Sequence, residues 1–159
     1  MPGVSKTNAM RILERLGLAY EAQAYAVDES DLGAGHLAAQ LGVETAMVFK
    51  TLVLRGDRTG FFVCVLPGDL ELDLKKAAKA SENKSCAMIP MKDLQAVTGY
   101  IRGGCSPVGM TKSFPTLVDS LAELWPKVYV NAGRRGLVLR LAPADLVKAC
   151  GGRMADISA

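Results

Sequence analysis

The sequence predicts an α+β fold: a mixed, largely antiparallel, β-barrel-like sheet surrounded by helices. Strand-like runs outnumber helical ones. Several neighbouring runs are also joined by connections too short for the helical crossover that parallel strands require, which disfavours a doubly wound sheet. Size bounds the rest: 159 residues, half of them hydrophobic, fit one compact domain spanning 1–159 that can bury a core without disulfides or a metal.

Ser5 to Leu16 carries Met10, Ile12, Leu13 and Leu16 at helical spacing, with Ser5 or Thr7 as N-cap and Gly17 as the stop. Ala19 to Val27 alternates weakly, with Tyr20, Ala22 and Ala24 opposite Glu21, Gln23 and Tyr25, which reads as a poorly apolar strand. Ser30 to Gly42 opens as a loop through Gly33 and Gly35 and continues as a short helix, HLAAQLG. Met47 to Leu54 and Phe61 to Leu66 are β-rich, and RGDRTG between them suits a central hairpin. Asp73 is placed to cap a helix through DLKKAAKAS, and Pro90 opens a further short helix closed by Gly99. Thr116 to Asp119, Lys127 to Asn131 and Leu137 to Leu141 read as strands, the last two joined by AGRRG. Pro143 starts a final helix that stops before Gly151, and Met154 to Ile157 forms a last short strand.

Composition excludes a good deal of chemistry. His36 is the single histidine, so sites built from several imidazoles are ruled out. Cys64, Cys86, Cys105 and Cys150 form no CxxC pair and do not read as zinc ligands, so neither metal nor cofactor is expected. The opening MPGVSKTNAM has no leader-like apolar run, and no stretch reaches the ~20 apolar residues of a membrane span, which makes the expected location cytoplasmic, with reduced thiols and no membrane partner. A net charge of +3 falls well short of a dedicated duplex-DNA binder.

Two features carry chemistry. Lys50, in MVFKTLVL, alternates with Val48, Leu52 and Leu54 on one face while Met47, Phe49, Thr51 and Val53 take the other. With both faces apolar, an ammonium there is costly unless paired or wet. Two readings fit: a stem that packs while its head reaches water, or a cation lining a pocket and orienting a substrate oxygen. The second feature is Gly103-Gly104-Cys105-Ser106-Pro107-Val108-Gly109, a loop that serves either as a plain turn or as a cradle bringing backbone N–H groups up to a ligand. Gly104 and Gly109 have P-loop spacing, but Met110 stands where the phosphate-gripping lysine must be, which argues against nucleotide hydrolysis. Cys105 would need an activating base, and the chain has one imidazole to offer. Lys75, Lys76, Lys79, Lys84, Arg102, Lys112, Arg134 and Arg135 supply either a solvated surface or contacts to RNA phosphates.

Taken in order, VFKTLV around Lys50, ELDLKKAAKA at 71–80, TGYIRGGCSPVGM at 98–110, FPTLVD at 114–119, and VYVNAGRRGL followed by LAPADL resemble the YbaK/EbsC family. These are small free-standing relatives of the editing domain of bacterial prolyl-tRNA synthetases. The resemblance implies a β-barrel-like sheet with helices around it, and hydrolysis of the ester joining a wrong amino acid to a tRNA 3′ end, typically cysteine on the proline tRNA. It assigns the central role to Lys50 and places the Gly103–Gly104 loop at the substrate carbonyl, with Tyr25, Thr51, Ser106 and Asn131 lining the pocket. In cysteine-specific members the substrate's own thiol attacks its ester, a route that needs no histidine base or enzyme nucleophile. Among the pocket residues Asn131 stands where serine is common. Two departures weigh against cysteine as the amino acid removed: Val138 stands where such members can carry aspartate, and Leu32-Gly33 where an aromatic is frequent. Prolyl-tRNA synthetase is an implied partner alongside the aminoacylated tRNA 3′ end. The alternatives are a deacylase for another small amino acid such as alanine, a non-catalytic tRNA- or synthetase-binding module of the same fold, or a thiol hydrolase using Cys105.

Overall fold

The computed structural model describes residues 5–159; Met1 to Val4, the first residues of the stretch read for a leader, lie outside them. Thr7, rather than Ser5, caps α1 (Asn8–Arg15) by accepting the Met10 N–H. β1 (Glu21–Ala24) is short and mostly exposed, as its weak alternation predicts. α2 (Ala34–Leu41) ends on Gly42 in the left-handed conformation. β2 (Phe49–Gly56) and β3 (Gly60–Pro67) form the expected antiparallel hairpin, with Lys50 opposite Leu66. Asp73 accepts the Lys75 and Lys76 N–H groups at the start of α3 (Leu74–Ala80). β4 (Cys86–Met88), which sequence reading missed, adds to β2 as an edge strand.

After a short 3-10 turn, α4 (Leu94–Thr98) closes on Gly99, and β5 (Thr116–Asp119) follows. β6 (Val128–Asn131) and β7 (Leu137–Leu141) make the second antiparallel hairpin. α5 (Pro143–Cys150) ends at Gly151, and β8 (Arg153–Ala155) starts one residue before the strand expected from sequence. Among the described residues no helix is long and apolar enough to cross a membrane.

The strands form two sheets, a three-stranded β1-β7-β6 and a five-stranded β4-β2-β3-β5-β8. Pairing is antiparallel except for β3 with β5 and β5 with β8. An isolated parallel bridge between Val48 and Tyr129 joins the sheets where β2 begins. The main core lies between them: Phe49, Val53, Val65 and Val118 meet Val128, Val130, Leu139 and Leu141, with Leu13 of α1 and Leu146 of α5 closing the ends. The opposite face of the five-stranded sheet carries Leu54, Phe62, Cys64 and Leu66, covered by Ala77 of α3 and by Ile157. A third cluster packs Ala38 of α2 on Tyr129 and Val138. β2 is therefore covered on both faces, as its two apolar faces predict.

Candidate active site

Val48 opens the path into the site, because the bridge it makes to Tyr129 draws β2 against β6 at the point where Lys50 leaves the core. Gly68, directly after β3, donates its N–H to the Val48 carbonyl at 2.8 Å. A Cβ on Gly68 would stand 2.1 Å from the Ala34 Cβ, so glycine is what lets the start of α2 close onto the β2–β3 hairpin. That contact brings Leu32, Gly33 and Ala34 beside Lys50.

Two joined clefts result. The larger, of about 400 Å³, runs from Lys50 and Thr51 past Gly68 to Met88, Met91 and Leu94, with Arg102, Gly103 and Cys105 on the other side. The smaller, of about 150 Å³, is walled by Tyr25, Leu37, Val48 and Asn131. Leu32, Ala34, Lys50, Thr51, Gly103 and Cys105 line both.

Lys50 is half-buried, and its Nζ donates to the Leu70 carbonyl at 2.5 Å. An ammonium has three donors, so two remain for a ligand in the clefts. Thr51 follows Lys50 on the strand and also lines both clefts. Gly103 has φ +80°, a conformation that glycine adopts without strain. The Gly104 N–H is spent on the Ile101 carbonyl at 2.9 Å. Of the two glycine amides, Gly103's is therefore the one left for a ligand; it meets no protein acceptor among the described residues.

The remaining expected residues divide. Tyr25 and Asn131 line the smaller cleft. Gly104 and Ser106 are buried behind the loop, where Ser106 Oγ accepts the Val108 N–H at 3.2 Å. Asn131 donates from Nδ2 to the Gly103 carbonyl at 2.8 Å and accepts the Gly133 N–H at 2.7 Å. Cys105 is on both walls, but burial pushes its thiol up to about 11, so at neutral pH it is protonated and a poor nucleophile. His36 is engaged elsewhere, with Gln40 at 2.9 Å and Asp31 at 4.0 Å.

Sequence reading missed the apolar wall of Met88, Met91 and Leu94, which is assembled from the end of an edge strand too short to show alternation, the 3-10 turn after it and the first residue of α4. It also missed Gly68, whose only local signal is the Pro67-Gly68 turn.

Comparison with known proteins gives the site its context. A family model described as an aminoacyl-tRNA editing domain matches residues 32–149, which include every cleft residue named above except Tyr25. A protein of Enterococcus faecalis, named provisionally as the Cys-tRNA(Pro)/Cys-tRNA(Cys) deacylase EbsC, is 48% identical over 96% of this chain and 93% of its own. The solved structure of a hypothetical protein superposes with a TM-score of 0.87 at 25% identity, over 96% of this chain and 100% of its own. A second, described provisionally as a trans-editing enzyme for prolyl tRNA synthetase, superposes at 0.78 with 24% identity, over 98% of this chain and 99% of its own, and supports the fold. With one family covering the strand that carries Lys50, the glycine loop and the hairpin behind it, the chain belongs to the aminoacyl-tRNA editing domain family.

Proposed function

We propose that this protein deacylates misacylated tRNA in trans, with cysteine on the proline tRNA as its foremost substrate. One observation carries the proposal: Lys50 and the Gly103 amide stand on the wall shared by two joined clefts of unequal size. The smaller, at about 150 Å³, suits the side chain of a small amino acid. The larger, at about 400 Å³, falls in the range of a nucleoside-sized ligand. Its apolar wall of Met88 and Met91 suits the terminal adenine, and Arg102 at its edge suits a phosphate. An ester linking the two lobes would lie at their junction, beside Lys50.

In this reading the substrate thiol attacks its own ester carbonyl. A carbon–sulfur bond forms, the bond to the ribose oxygen breaks, the thiol proton passes to that oxygen, and water opens the resulting thiolactone. The intramolecular nucleophile brings high effective molarity. What the protein contributes is orientation and charge: Lys50 holds the ester or the terminal ribose, and the Gly103 N–H donates to the developing oxyanion. Neither cofactor nor metal takes part. The 48% identity to EbsC, whose name gives Cys-tRNA(Pro) and Cys-tRNA(Cys) as substrates, supports cysteine.

A second reading rests on the apolar lining of the smaller cleft, where Leu32, Ala34, Leu37 and Val48 also admit alanine. We place the reaction in the cytoplasm, on residues 1–159 acting as one domain. Its partners are the aminoacylated tRNA 3′ end and prolyl-tRNA synthetase, and neither a membrane nor DNA is involved.

The test is deacylation of proline tRNA charged with cysteine, alanine or proline, by wild type and by Lys50→Ala. Cysteine release that drops about 100-fold or more in the variant is the expected result, a loss of the size seen when one oxyanion donor is removed. Alanine release alone supports the second reading, and no turnover on any ester leaves a tRNA- or synthetase-binding module.

A further inference from the structure

We infer that Arg135 is a positioning residue for the deacylation, aiming the Gly103 N–H at the ester; the inference rests on the function proposed above. Its guanidinium does not line either cleft. Instead Nε donates to the Arg102 carbonyl at 2.8 Å, and a Cβ on Gly103 would stand 3.2 Å from that same nitrogen. Arg135 thus lies directly against the peptide that joins Arg102 to Gly103.

A trans peptide points its carbonyl and its N–H in opposite directions. With the Arg102 carbonyl turned back to Arg135, the Gly103 N–H is turned away from the β6–β7 turn, toward the side where Gly103 lines both clefts. The next peptide is held in the same manner, because Asn131 takes the Gly103 carbonyl and Ile101 takes the Gly104 N–H. Two consecutive carbonyls of the loop are therefore gripped from the β6–β7 hairpin, and the amide left over is the one that the proposed chemistry uses. A glycine at φ +80° has little rotational restraint of its own, so the orientation must be imposed from outside the loop.

The other contact of Arg135, to Glu29 at 3.6 Å, involves a carboxylate 83% exposed and is weak for that reason. The hydrogen bond to the loop is then the main use of the side chain. A competing role is phosphate binding, since Arg135 touches Arg102, which lines the larger cleft, and the two roles leave different marks. A phosphate contact acts through charge, survives replacement by lysine, and appears in KM and its salt dependence. A positioning contact needs the planar Nε–H and appears in kcat, because an oxyanion donor acts only in the transition state.

The experiment measures kcat and KM on cysteinyl- and alanyl-tRNA(Pro) for wild type, Arg135→Ala and Arg135→Lys at two salt concentrations, with ethylguanidinium added to the alanine variant. Both variants should lose about 100-fold in kcat, the scale of a misplaced catalytic group, with KM within about threefold of wild type, and ethylguanidinium should restore part of the kcat of Arg135→Ala. Full kcat in Arg135→Ala, or a loss confined to KM that lysine repairs, overturns the inference while leaving the proposed function standing. Absence of turnover by wild type on both esters overturns the proposed function and the inference together.

Discussion

Asn131 fastens the glycine loop to the β6–β7 turn with one side-chain amide: Nδ2 reaches the Gly103 carbonyl at 2.8 Å, and Oδ1 takes the Gly133 N–H at 2.7 Å. Both ends of the amide are spent inside the protein, although the residue also lines the smaller cleft. A carboxamide suits this place because it carries a donor and an acceptor on two arms of one planar group.

Asn131→Asp isolates the donor. The substitution keeps the shape and the acceptor for Gly133, but it sets a carboxylate oxygen against the Gly103 carbonyl oxygen. Losing the bond and leaving that carbonyl unpaired costs roughly 1–3 kcal/mol, read as a fall in melting temperature. Deacylation should fall at least about tenfold as the loop shifts, since small misplacements of a catalytic group are costly. An Asn131→Asp protein with wild-type melting temperature and rate would show that the loop is held by other means.

Gly68→Ala should damage the site through packing alone. The added methyl would come 2.1 Å from the Ala34 Cβ and 2.9 Å from the Val48 carbonyl, so α2 must move off the hairpin. Overpacking of this kind costs about 1–3 kcal/mol. Because Leu32, Gly33 and Ala34 form one side of the larger cleft, the same shift should raise KM for aminoacyl-tRNA. Chemical denaturation together with steady-state kinetics measures both effects. Gly35→Ala, at the residue next to Ala34 in α2 and with open space around its Cβ position, should do neither.

Cys105→Ser should keep deacylation within a fewfold of wild type. Cys105 lines both clefts, but burial holds its thiol up at about 11, and a protonated thiol is a weak nucleophile. The thiolate fraction, about one in ten thousand at pH 7, should increase about tenfold per pH unit up to pH 10. Iodoacetamide labelling of Cys105, followed by mass spectrometry, should track that increase. Rapid labelling at pH 7 coupled to loss of activity would instead identify Cys105 as a nucleophile.

How much of this could be read from sequence depended on whether a residue's role is local. The β2–β3 hairpin was legible because two β-rich runs flank the Gly- and Asp-containing RGDRTG, and Lys50 because a cation among Val48, Leu52 and Leu54 breaks the pattern. The caps at Asp73, Gly42 and Gly99 follow from short-range geometry. β4 was not legible, since three residues on an edge carry no periodicity and their pairing with Leu54–Gly56 is set by the tertiary structure. β8 was read as ending two residues too late because Ile157, taken as part of the strand, is instead buried in the cluster under α3. The grip of Arg135 on the Arg102 carbonyl spans 33 residues, and in the sequence Arg134 and Arg135 look like any basic turn.

Alkaline pH should destabilise the fold from about pH 9 upward, and three thiols and a phenol set the window. Burial pushes Cys64 up to about 12 and Cys105 and Cys150 up to about 11, from an ordinary 9.0, and Tyr100 up to about 12 from 10.0. Each group is held in its neutral form by the fold and ionises more readily in the unfolded chain. Below pH 9 both states are protonated at the thiols, and the full stability is present. Between pH 9 and about 11 the unfolded chain releases protons that the folded protein retains, so stability falls as pH rises. A thiol that moves from about 9 to about 11 corresponds to roughly 2–3 kcal/mol over that interval. Urea melts at pH 8, 9, 10 and 10.5 should show a steady drop in midpoint. Cys150→Ala should make that drop shallower, because it removes one of the protons released on unfolding. A midpoint that stays flat to pH 10.5 would mean that these thiols ionise alike in the folded and unfolded chains, and that their burial carries no such cost.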